Sequence, residues 1–169
     1  MEVHAAFEES FDDLLVEARH RMLTTLRGLY WDCFEEGQCS PRACLLLIEC
    51  ANRALDHETE VCKDWMFFKH YFEGKFVVKV LSFCAKKIPL FFGKYFKNLL
   101  YKRLSFQYDI VLNFVECHEE VIELLEEMLE NKEVKETIIG EARNNLNQAE
   151  KHMVKNIERN FEEVVEAIQ

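Results

Sequence analysis

Glu17 and His20 stand three residues apart, a spacing that puts a carboxylate and an imidazole on one helical face and builds half of a di-iron helix site. A ferritin-like centre needs a second such pair and two further inward glutamates. No second Glu-x-x-His occurs, so the metal reading fails on ligand count. The seven cysteines include Cys33, Cys39, Cys44 and Cys50 at gaps of six, five and six, with no Cys-x-x-Cys pair anywhere. That series matches neither a zinc knuckle nor a ribbon, and the thiols read as buried groups of a reducing compartment. His118 and His152 sit beside acidic residues and are expected on helix surfaces. The glutamates from Glu116 to Glu136 lack the Asp/Asn/Gly loop of a calcium site and read as a solvated helix face. Five single glycines offer no phosphate loop, and no Ser or Cys lies in a nucleophile motif. No catalytic, cofactor-binding or metal-ligating residue is assigned, no cofactor is expected, and the chain reads as a non-enzyme.

Charge is the stronger signal. Residues 63–103 hold ten Lys/Arg against Asp64 and Glu73, a local balance of +8, together with 12 of the chain's 21 aromatics. Residues 1–62 sum to −8 and residues 104–169 to −10. A basic, aromatic-rich strip between acidic flanks belongs beside anionic headgroups or against those flanks. The net charge of −10 argues against nucleic-acid binding, because most of the surface would repel phosphate. The first twenty residues are acidic and hold no apolar signal core. The longest apolar region, Phe76 to Leu100, is interrupted by Lys79, Lys86, Lys87, Pro89, Lys94 and Lys97 and is expected to lie on a membrane, not to cross one.

The elements that must position these groups are helices. Forty-nine per cent hydrophobic residues with five Gly and two Pro predict one all-α domain over 1–169, built as a helical bundle. Ser10 is the expected cap of a helix running to Glu36, with Phe11, Leu14, Leu15, Ala18, Met22, Leu26, Leu29, Cys33 and Phe34 as its apolar stripe. Gly37 supplies a left-handed stop, and Ser40-Pro41 starts a second helix to about His57, giving an antiparallel hairpin over 10–57. The basic aromatic segment 60–103 reads as two short helices or a bent one up to Lys87. Pro89 then opens a long helix to Glu130, basic first and acidic second, which opposes the macrodipole. Asn131 ends it. A last helix from Glu133 carries Val134, Ile138, Ala142, Leu146, Ala149, Met153, Ile157, Phe161, Val164 and Ile168 on one stripe, so 104–169 form the acidic long helices. The stripe reaches Gln169 without a cap, which predicts a chain that continues.

Tyr30-Trp31, then Glu36-Gly37, then Ala54-Leu55-Asp56 and Asp64-Trp65 resemble, in order and spacing, one cytosolic region. It is the segment following the membrane part of plant salt-overly-sensitive and animal sperm-type Na⁺/H⁺ exchangers. The likeness covers about residues 20–169, extending through Ile88-Pro89 and Arg103-Leu104. The cysteines and acidic helices lean to the sperm-type branch. The family's transport carboxylates lie in transmembrane helices that this sequence does not contain, so no transport residue carries over. The resemblance implies a helical cytosolic domain beneath a homodimeric antiporter at the plasma membrane, in the sperm flagellum for that branch. It would link the transport domain to later voltage-sensing and cyclic-nucleotide-binding domains. The alternative is a free-standing helical adaptor for a protein partner or an anionic membrane.

Two surfaces are expected. Lys75, Lys79, Lys86, Lys87, Lys94 and Lys97 should face inner-leaflet lipid. The Val134–Ile168 stripe, chiefly Leu146, Met153, Ile157, Phe161 and Val164, should join Tyr30 and Trp31 in a two-fold dimer interface.

Overall fold

The computed structural model describes residues 10–72, 80, 83–84 and 90–153. These residues form helices, with no strand among them. Helix α1 spans Phe11–Glu35. It starts where Ser10 Oγ accepts the Asp13 N–H and the Asp13 carboxylate accepts the Ser10 N–H, a reciprocal cap that satisfies two otherwise orphaned donors. It ends at Gly37, whose φ of 76° lies in the left-handed region and lets the Gln38 and Cys39 amides donate back to the Cys33 carbonyl.

Helix α2, Pro41–Leu55, begins with Ser40 Oγ accepting the Ala43 N–H. A loop over 56–63 leads to a 3-10 turn, Asp64–Phe68, continued by the short helix α3, Lys69–Phe72. Helix α4 runs Leu90–Met128 and α5 runs Lys132–His152. Asn131, expected to end α4, lies beyond the last helical residue Met128; its Oδ1 instead accepts the Glu133 and Val134 N–H groups and caps α5.

The helices α1, α2, α4 and α5 enclose one core. Met22, Leu26 and Tyr30 of α1 share this core with Leu47 and Cys50 of α2, Phe114 and Val121 of α4, and Ile138 and Ala142 of α5. Trp65, Phe68 and Phe72 close one side of it, with Trp65 edge-on to Phe114 at 5.0 Å and stacked on Phe72 at 5.4 Å. Each such ring pair contributes about 0.5–1.5 kcal/mol beyond its buried area.

The expected stripes are recovered with local corrections. Phe11 is 40% exposed because it stands in the first turn of α1, ahead of the packed region. Leu23 and Arg19, absent from the expected α1 stripe, are buried because three neighbouring elements wrap that helix. No described helix is long and apolar enough to cross a membrane.

Candidate functional site

His118 is the most enclosed titratable side chain of α4, with no exposed surface. The expectation of a surface histidine fails because Phe114, His118 and Val121 share the inward face, while Glu116, Glu119 and Glu120 point out. His118 Nδ1 lies 2.9 Å from the Phe114 carbonyl oxygen, which can only accept, so Nδ1 carries a hydrogen. Nε2 lies 3.0 Å from Asp64 Oδ2, and that contact needs one further proton between the two atoms. The pair is therefore neutral as a unit, whichever partner holds the proton. Asp64 Oδ1 accepts the Trp65 N–H, and the Phe114 ring stacks on the imidazole at 3.8 Å. Both imidazole nitrogens are committed within the protein. The dyad ties the 3-10 turn to α4.

A second buried pair lies where α1 and α5 meet the 56–63 loop. Arg19 donates through Nε to Glu141 Oε2 at 3.0 Å and through one terminal nitrogen to Oε1 at 2.7 Å. Glu141 Oε2 also accepts the Cys62 N–H at 2.9 Å, and Asn145 Nδ2 donates to the Cys62 carbonyl at 2.9 Å. Arg19 reaches the Glu58 carbonyl at 3.3 Å, while the Glu58 carboxylate meets His20 Nδ1 at 2.7 Å. Hydrogen bonding to Glu141 raises the Arg19 pKa and outweighs the desolvation that opposes it. The 56–63 loop is thus riveted to α1 and α5 by charge-assisted bonds. Glu17, whose spacing to His20 raises the di-iron reading that fails on ligand count, bonds Arg21 on the surface. Among the described residues no group of three or more His, Cys, Asp or Glu side chains could hold a metal.

Surface chemistry concentrates on the first half of α4. Between residues 90 and 108 it has no acidic side chain. Lys94, Tyr95, Asn98, Leu99, Tyr101, Lys102, Ser105 and Tyr108 are all exposed, Tyr95 at 64% and Tyr101 at 55%. At about 100° per residue these positions cover one continuous half of the helix circumference. Leu100 and Leu104 on the other half are buried. Lys94 therefore lies on this outward face. Lys97 turns towards the Leu100–Leu104 side and is half-buried, and Lys102 takes its outward place. Lys75, Lys79, Lys86 and Lys87 lie outside the described residues.

No family model and no curated protein matches this chain. The interface residues separate sharply. Tyr30 is 1% exposed, and burial holds its phenol well above the usual range, so it has no surface to give a second copy. Trp31, one residue on, is 47% exposed and bonds Glu35 through its indole N–H. Leu146 and Met153 are half-buried against the chain's own core, because the α5 stripe from Val134 to Ala149 is what closes the bundle. Ile157, Phe161 and Val164 lie outside the described residues. Sequence reasoning missed both buried pairs. One signal was present: His118 is four residues from Phe114 and three from Val121, in phase with the apolar face.

Proposed function

We propose that this domain is the cytosolic coupling and dimerisation region of a Na⁺/H⁺ exchanger of the sperm-type or plant salt-overly-sensitive class. It holds a membrane transport part in register with later regulatory domains and does no chemistry itself. The observation that carries the reading is the two-natured α4. Its basic, tyrosine-bearing half presents a continuous outward face suited to anionic lipid at the inner leaflet, and its acidic half is packed into the bundle.

Several of the residues that carry the resemblance hold the fold in place, which supports it further. Tyr30 fills the core, Gly37 makes the left-handed turn, Ala54 is buried, and Asp64 and Trp65 anchor the 3-10 turn. Trp31 remains an exposed anchor for a two-fold contact with a second copy.

The parent reading frame tests the proposal. About ten or more hydrophobic spans upstream of this segment are expected. A frame with none overturns it in favour of the free-standing adaptor. Sedimentation equilibrium tests dimerisation: a single 20.1 kDa species at tens of micromolar counts against it.

A further inference from the structure

Cys33 and Cys117 stand 84 residues apart in sequence, yet their sulfur atoms are 3.6 Å apart. Cys33 is in the last turns of α1 and half-buried; Cys117 is buried on the inward face of α4. Neighbouring thiols are committed elsewhere. Cys44 Sγ points to the Tyr30 carbonyl at 3.4 Å and Cys39 Sγ to the Ser40 carbonyl at 3.6 Å. Among the described residues this is the one pair of cysteines whose sulfurs face each other.

We propose that Cys33 and Cys117 are an oxidisable dithiol, a modification site at which a peroxide installs a disulfide between α1 and α4. The half-exposed Cys33 is the point of entry. Its thiolate attacks one oxygen of hydrogen peroxide, the O–O bond breaks, and a proton returns to the departing hydroxide, leaving a sulfenic acid and water. The Cys117 sulfur then attacks the Cys33 sulfur. The S–O bond breaks and the hydroxyl leaves as a second water with the Cys117 proton. Two thiols lose two electrons and two protons, and the peroxide takes up both.

The surroundings set the rate. Burial, with the carboxylates of Glu116, Glu120 and Glu36 nearby, pushes the Cys33 thiol up, and burial does the same to Cys117. Oxidation is therefore slow near neutral pH and accelerates as the pH rises, because the thiolate is the nucleophile. The product fastens the end of the α1–α2 hairpin to the middle of the long helix. Closing a loop of this length raises the melting temperature by roughly 10 °C.

The experiment treats the reduced full chain with hydrogen peroxide, alkylates free thiols, and maps peptides without reduction. The expected result is one cross-linked peptide joining Cys33 to Cys117. A rise in melting temperature should accompany it, reversed by dithiothreitol. In Cys33→Ser the cross-link and the oxidant-dependent rise should vanish while the reduced protein melts as wild type does. In Cys117→Ala, which keeps the site apolar, the Cys33 sulfenic acid should persist and be captured by dimedone. The proposal is overturned if Cys33 oxidises further while Cys117 alkylates freely, if other pairs form instead, or if oxidation leaves the melting temperature unmoved.

Discussion

Replacing Glu141 by Ala tests whether the rivet between α1, α5 and the 56–63 loop is a buried interaction. Arg19 and Glu141 are 6% and 8% exposed, so the substitution strands a desolvated guanidinium with only the Glu58 carbonyl as partner. An unpaired buried charge costs about 3–5 kcal/mol. The Cys62 N–H loses its acceptor as well, worth about 1–3 kcal/mol. A loss of roughly 5 kcal/mol is expected, which moves a urea midpoint by about 2 M for a domain of this size. The double variant Arg19→Met/Glu141→Leu removes both charges and fills the same space. The Cys62 amide and the part-buried Glu58 carbonyl then lose a partner but no charge is stranded, so about 1–3 kcal/mol should be lost, much less than in the single variant. Urea titrations followed by far-ultraviolet circular dichroism give both values. A loss below about 1 kcal/mol in Glu141→Ala, or costs in the double variant that simply add, would refute a desolvated rivet.

At the Asp64–His118 pair, Asp64→Asn should cost little, because the amide can donate to His118 Nε2 while its oxygen still accepts the Trp65 N–H. His118→Ala should cost about 3–5 kcal/mol by leaving the Asp64 carboxyl without that partner; equal melting temperatures for the two variants would contradict the assigned hydrogen positions. Lys94→Gln/Lys102→Gln should weaken binding to phosphatidylserine vesicles roughly 30-fold, from about 1 kcal/mol per lysine, with unchanged helicity. Wild-type protein that ignores such vesicles at low salt would remove the lipid face. Burial pushes the Cys39 and Cys50 thiols up to about 12 from the usual 9.0. The folded state thus keeps protons that the unfolded chain releases, so stability should be full below pH 9 and fall as the pH rises towards 12. An unchanged urea midpoint between pH 8 and pH 10.5 would contradict that.

Helix boundaries were readable because their causes are local. The Ser10 cap, the Gly37 stop and the Ser40-Pro41 start each depend on atoms within a few residues. The inward faces of α1, α2, α4 and α5 followed from spacing for the same reason. The buried pairs were not readable, since Arg19 finds Glu141 across 122 positions and Asp64 finds His118 across 54. Nothing local announces such partners, and the glutamates flanking His118 pointed the other way. Tyr30 and Trp31 show a third case. Adjacent residues on a helix lie about 100° apart, so one dipeptide supplied both a core residue and a surface one.

Helix α4 has 39 residues and is therefore a rod about 58 Å long. Its acidic half is gripped by α1, α2 and α5, and its basic half carries the exposed tyrosines and lysines. The hold extends into the basic half, where Leu100 and Leu104 are buried, so the rod moves as one piece. A tilt of about 5° about one end would sweep the other through about 5 Å, comparable to one helical turn. Small rearrangements in the bundle would thus arrive at the basic end magnified, and a push there would return to the bundle as torque on α5. Stiffness and length, more than any single contact, would let this domain carry mechanical information.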